Sequence, residues 1–70
     1  MHKVKAVMAG SVWKVLVSAG DKVEKGQEVT ILESMKMEIP LEAEVEGVVS
    51  EVKVSEGDFV NEGDVIISIK

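Results

Sequence analysis

Seventy residues allow one domain, which buries only roughly 60% of the surface its unfolded chain would expose, so a core and a deep catalytic cleft cannot both be accommodated. Ten Glu and three Asp against eight Lys leave a net charge of −5; with no Arg and a single Trp and Phe, the chain has neither the cationic patch nor the stacking platform of a nucleic-acid binder. Cysteine is absent, which excludes disulfides and thiolate metal sites and fits a reducing compartment.

The N-terminal Met1-His2-Lys3-Val4-Lys5 leads into no apolar stretch of the signal-peptide kind. The longest aliphatic run, Val65-Ile66-Ile67, is far short of the ~20 residues of a membrane span. A single cytoplasmic, monomeric domain over residues 1–70 is expected, with no membrane contact, either a stand-alone chain or a domain excised from a larger protein. Fourteen Val and five Ile suit pleated strands, and no segment carries the apolar stripe of a capped helix. Eight strands are predicted in chain order, at roughly 3–8, 10–18, 22–24, 28–33, 37–43, 47–54, 59–60 and 65–69. In the second, Trp13-Lys14-Val15-Leu16-Val17 alternates imperfectly; in the fifth, Met37 to Val45 is apolar at every odd position. Gly20-Asp21 and Gly57-Asp58 supply the positive φ and the short side-chain acceptor that tight turns use. Val15, Val17, Val29, Ile31, Val52, Val54 and Ile67 are expected to fill the core, with Trp13 in it or packed at a barrel end.

Shifted by 37 positions, Gly10 to Gly26 lies over Gly47 to Gly63 with nine identities in seventeen pairs, from Gly10/Gly47 and Val12/Val49 through Gly20/Gly57 and Asp21/Asp58 to Gly26/Gly63. Neither copy can bury a sheet face alone. Facing each other they can, which predicts an all-β fold: two four-stranded antiparallel sheets packed as a flattened barrel with approximate two-fold symmetry. Register is open after the last Gly of each copy, where Gln27-Glu28-Val29 faces Asp64-Val65.

Between the copies lies Glu33-Ser34-Met35-Lys36-Met37, which must form a hairpin tip. Tight two-residue hairpins ask for Asn-Gly or Asp-Gly, yet Ser34 to Met37 contain no Gly, Asn or Asp. Such a tip is strained unless the loop is longer and relaxed, and strain kept at a tip points to its side chains. Met35 and Met37 flank Lys36 with adaptable apolar groups, and Glu33 and Glu38 bracket them. On composition alone the favoured reading is the plain one, in which both Met reach down into the barrel end and Lys36 is one solvated lysine among eight.

Glu33-Ser34-Met35-Lys36-Met37 resembles the attachment motif of biotinyl domains, Glu-(Ala/Ser)-Met-Lys-Met, in which biotin is amide-linked to the central lysine. Gly20-Asp21-Lys22-Val23 with Gly26-Gln27, and Gly57-Asp58-Phe59-Val60 with Gly63-Asp64, are similar to that family's Gly-Asp-x-Val-x-x-Gly-(Asp/Gln) stretch. Met8-Ala9-Gly10 looks like its Met-Pro-Gly, with Ala9 in place of Pro. No insertion separates Trp13 from Gly20, so the chain looks like the thumbless, stand-alone biotin/lipoyl attachment proteins.

The resemblance implies a covalent biotin carrier and not an enzyme, with no catalytic residue of its own. Lys36 would be acylated by a biotin protein ligase that reads Glu33, Met35 and Met37. The carrier would then move a carboxyl group between biotin carboxylase and carboxyltransferase sites. Exposed lysine amines in general carry a proton at neutral pH, so the ligase must supply the base. A lipoyl carrier, or one accepting both biotin and lipoate, is the alternative; lipoyl tips typically read Asp-Lys-Ala. A cofactor-free structural barrel is the alternative of another class. Lys36 is expected near the dyad on a protruding hairpin, with both termini at the opposite end. No metal site is expected: Glu42, Glu44 and Glu46 alternate along one solvated face, and His2 has no partner ligands. Ser34 and Lys36 lack the oxyanion donors and pocket of a serine–lysine hydrolase.

Overall fold

The two copies of the repeat become the two halves of the computed structural model, which describes residues 1–70. The strands are β1 (His2–Lys5), β2 (Gly10–Val15), β3 (Lys22–Val23), β4 (Glu28–Ser34), β5 (Met37–Glu42), β6 (Gly47–Val52), β7 (Phe59–Val60) and β8 (Val65–Ile69). They form two antiparallel sheets, ordered β1-β8-β6-β3 and β5-β4-β2-β7. Adding 37 turns β2 into β6 and β3 into β7, and the order of one sheet maps onto that of the other. The predicted flattened barrel with two-fold symmetry is the one observed. Its extents are 31 × 19 × 18 Å.

Each half stitches itself to the other through equivalent bonds. The Gly20 and Gly57 amides donate to the Val49 and Val12 carbonyls at 2.7 and 2.8 Å, and the Val49 and Val12 amides donate to the Asp21 and Asp58 carbonyls at 2.8 and 2.7 Å. Gly20 and Gly57 stand at φ 95° and 96°, which only glycine adopts at low cost. The aspartates behind them accept from the Ser18 and Ser55 amides, both at 2.8 Å. Register beyond the last glycines is also resolved. The Gln27 side chain accepts from the Glu24 amide as the Asp64 side chain does from Asn61, so Gln27 and Asp64 are equivalent and the repeat runs on through Val29/Ile66 and Leu32/Ile69.

Val12, Val23, Val29, Leu32, Val49, Ile66, Ile67 and Ile69 are the largest fully buried side chains of the fourteen-residue core. Of the expected core, Val17, Val29 and Ile67 are buried, while Val15, Val52 and Val54 pack partly buried against it. Ile31 is a correction: it is half-buried, and Leu32 takes the interior place. The pairing of β4 with β5 slips between Glu28 and Thr30, so Val29 and Thr30 both turn inward and the alternation changes phase. Trp13 is a second correction. The β2–β4 register slips between Val12 and Lys14, leaving Trp13 unpaired and 42% exposed, with the Lys14 ammonium 5.4 Å from its ring centre.

Candidate functional site

Ser34 and Met37 are the last cross-strand pair of β4 and β5, so only Met35 and Lys36 connect the strands. Their φ angles are 52° and 65°, the two positive values that mark a type I′ connection. They are the only non-glycine residues of the chain with positive φ, and the four other positive-φ positions are glycines at turns. The strain read from the missing Gly is therefore present, at about 1 kcal/mol or more per residue.

The side chains of the tip face solvent. Met35 is 87% and Met37 64% exposed, so neither reaches down into the barrel end. Lys36 is exposed, and the ion pairs of the chain lie elsewhere, at His2–Glu44 (3.6 Å) and Lys53–Glu51 (2.9 Å). Glu33 and Glu38 face each other directly across β4 and β5, one step below the closing pair, and both are exposed. A primary amine held at the end of a two-residue turn can be enclosed by an enzyme from several sides, and here it makes no ion pair. No group of His, Asp and Glu converges in a way that could hold a metal ion.

Gly10, the first residue of the repeat and part of Met8-Ala9-Gly10, positions this tip. A Cβ there would stand 2.8 Å from the Glu33 carbonyl oxygen and 3.2 Å from the Ser34 Cβ. The absent side chain lets β2 pass under the root of the hairpin. The repeat keeps glycine at the mated Gly47, where a Cβ would meet the Lys70 carbonyl oxygen, the mate of that of Glu33.

Lys36 does not lie on the dyad. The symmetry mates of Ile39 and Leu32 are His2 and Ile69, which pair in β1 and β8 as Leu32 and Ile39 pair in β4 and β5. The mate of the tip is thus the pair of chain ends. What straddles the axis is a depression of about 330 Å³ lined by the mates Val4 and Leu41, Lys5 and Glu42, and Val7 and Glu44. From there β5 leads back to the tip, and β1 leads back to the termini, where His2 meets Glu44. The termini are opposite the lysine, as expected, and for a symmetry reason.

The model of the family described as "Biotin-requiring enzyme" (Biotin_lipoyl) matches residues 2–69. The chain is 68% identical over 62 residues to the biotin/lipoyl attachment protein of Bacillus subtilis, covering 89% of this chain and 85% of that one. It is 52% identical over 66 residues to the "Biotinylated protein TB7.3 homolog" of Mycobacterium leprae, covering 94% and 93%. Among solved structures, the urea carboxylase of Kluyveromyces lactis superposes with a TM-score of 0.92 at 33% identity, over 99% of this chain and 6% of that one. The chain belongs to the biotin/lipoyl attachment family.

Proposed function

We propose that Lys36 is the residue to which biotin is joined, and that this chain is a covalent carrier in which Lys36 is the only working group. The observation that carries this reading is the tip itself: a strained two-residue turn whose second member is an exposed lysine free of any ion pair. An exposed primary amine on a protruding hairpin fits an amide-linked cofactor. The Lys36 amine acts as nucleophile on the acyl carbon of a biotin adenylate; the amide bond forms, the bond to AMP breaks, and the amine proton passes to a base of the biotin protein ligase. Glu33, Met35 and Met37 are the side chains that the ligase reads.

Biotin supplies a ureido nitrogen that holds a carboxyl group. The chain contributes position to that chemistry and serves biotin-dependent carboxylases as a carrier, not as a catalyst. Lysine and the valeryl chain together reach roughly 12–15 Å, so biotin carboxylase and carboxyltransferase sites farther apart require the whole domain to move. No helix is long and apolar enough to cross a membrane, and we place the carrier, as a monomer, in the cytoplasm. Lipoate is the second cofactor to test, because the relative at 68% identity is named for both.

Intact-mass measurement after co-expression with a biotin protein ligase, and separately with a lipoate ligase, tests the reading. One biotinyl group is expected, mapped to the Lys36 peptide and lost in Lys36→Ala and Lys36→Arg, since guanidinium cannot act as the nucleophile. Label on another lysine would refute the assignment.

A further inference from the structure

The two-fold repeat provides an internal control for the outer surfaces of the barrel. Mated positions have the same backbone, so a difference in their side chains is not demanded by the fold. Across β5-β4-β2-β7, the register sets Glu38, Glu33, Ser11 and Phe59 side by side, and Pro40, Ile31 and Lys14 in the next outward row. Phe59 is 67% exposed opposite Ser11, and Trp13, two residues along β2 from Ser11, is 42% exposed with the Lys14 ammonium over its ring. The only two aromatic residues of the chain thus share one outer face, on the sheet that carries the tip.

The other sheet has no aromatic at the mated positions; it carries lysines there, with Met1 and Val48 exposed in place of Glu38 and Ser11 and with Ser68 buried. The mates of Phe59, Trp13 and Ile31 are Lys22, Ser50 and Ser68; those of Pro40, Glu42 and Glu33 are Lys3, Lys5 and Lys70. Charge shows the same contrast. Glu33 lies opposite Glu38, and Glu28 opposite Glu42, two like-charged cross-strand pairs on one hairpin. Such pairs cost stability in a free sheet. Their mates hold no like-charged pair: Lys70 and Met1 answer the first, and Val65 against Lys5 the second.

We propose that the outer face of β5-β4-β2-β7 is the docking surface for the ligase that loads Lys36, with Trp13 and Phe59 as its anchors. The surface it fits has an apolar centre and a basic rim that relieves the paired glutamates. This inference rests on the carrier reading above. Proximity selects the ligase over the carboxylase subunits. The ligase must bring its acyl group to the Lys36 amine itself, and Glu33 and Glu38 lie only about 7 Å of strand below it. Enzymes acting at the far end of a 12–15 Å arm have no such need. Exposed aromatics ringed by charge are the usual composition of a binding centre.

The symmetry also supplies the variants. Phe59→Lys and Trp13→Ser install the residues already carried at the mated positions, so both are compatible with the local backbone. Initial rates of biotinylation by a purified bacterial biotin protein ligase, with biotin and ATP, are measured against carrier concentration. In the double variant KM should rise about tenfold or more with kcat within about twofold, as loss of a docking surface requires. Glu38→Lys should raise KM most at low salt, whereas Lys22→Ala on the opposite face should leave it unchanged. Backbone NMR shifts of Ser34 to Met37 should not move in the double variant. An unchanged KM, or a fall in kcat alone, would overturn the docking surface while leaving the carrier reading in place. Concentration-dependent self-association of the wild type, lost in the double variant, would overturn it too, by assigning the face to a second copy. A wild type that the ligase never labels would remove the carrier reading and this surface together.

Discussion

At the far end of one half of the barrel, β4 and β5 are joined through Met35 and Lys36; at the equivalent place in the other half, β8 ends at Ile69 and β1 begins at His2. The strands below both places pair in the same register, so the closure is the difference in backbone path between them. A chain built only to close that gap would use Asn-Gly, as the fold uses glycine at its other positive-φ turns. Met-Lys closes it at a cost of about 1 kcal/mol or more per residue. Features present in both halves serve the barrel. The closure is locally unfavourable and present in a single half, and it is where the proposed chemistry is placed.

The sharpest way to break this contrast is to give the tip the sequence its geometry asks for. Met35→Asn together with Lys36→Gly is expected to abolish the proposed biotinylation and to stabilise the barrel by about 1–2 kcal/mol, since both positive φ angles are then native to their residues. For a domain this small the gain appears as a rise in Tm of about 4–8 °C per kcal/mol, followed by circular dichroism. A Tm equal to that of the wild type would mean that the tip stores no strain and that its φ values have no functional meaning.

The repeated turns should behave in the opposite sense. Gly20 and Gly57 have φ of 95° and 96°, and a Cβ at either would meet nothing within 4 Å. Gly20→Ala and Gly57→Ala therefore cost about 1–2 kcal/mol from backbone strain alone, with no clash to separate them. Their urea midpoints should shift alike, within about 0.5 kcal/mol, and Lys36 should still be labelled. A large difference between the two would show that equivalent geometry does not carry equivalent energy here.

Those same turns explain how much of the fold could be read in the sequence. Gly-Asp twice, 37 residues apart, punctuates the chain so clearly that all eight strands, the two sheets and the tip follow. Strand ends were less visible: β2 stops at Val15 and β6 at Val52, although the apolar residues run on to Val17 and Val54. Those valines still pack on the core from outside the ladders, where alternation no longer reports pairing. Ile31 and Trp13 were misplaced by the register slips at Glu28/Thr30 and Val12/Lys14. A slip in one strand leaves no mark in the sequence, because it is settled with the neighbour. Lys36 was legible by its motif and its missing glycine. Its distance from the dyad was not, because a junction between two copies need not sit on their axis.

Within the core, Thr30 and Ile67 are mates, and both are fully buried. The Thr30 hydroxyl has no hydrogen-bond partner, while its mate has only carbon to bury. Thr30→Val keeps the shape and removes the unpaired group, and is expected to stabilise the fold by about 1 kcal/mol. Ile67→Thr should do the reverse by about 2 kcal/mol, since it loses apolar volume and buries a second orphan hydroxyl. Equal and small effects for the two would place a hidden partner at Thr30 and restore the symmetry that the core lacks.

The mildest test concerns Gln27 and Asp64, the one turn position where the halves use different residues for the same bond. Gln27 Oε1 accepts from the Glu24 amide at 3.0 Å, and Asp64 Oδ2 from the Asn61 amide at 2.9 Å, both in solvent. Gln27→Asp exchanges a neutral acceptor for a charged one, which favours the turn. It also sets a third carboxylate beside Glu24 and Glu28, which opposes it. The two effects should nearly cancel, leaving a change within about 0.5 kcal/mol at low ionic strength. Salt separates them, because repulsion among exposed charges is screened and a 3 Å hydrogen bond is much less so. Gln27→Asp should therefore gain stability relative to the wild type between low and high salt, as read from urea midpoints. A midpoint difference that ignores salt would mean that acceptor geometry alone decides this turn, and that the acidic surroundings of the first half have no part in it.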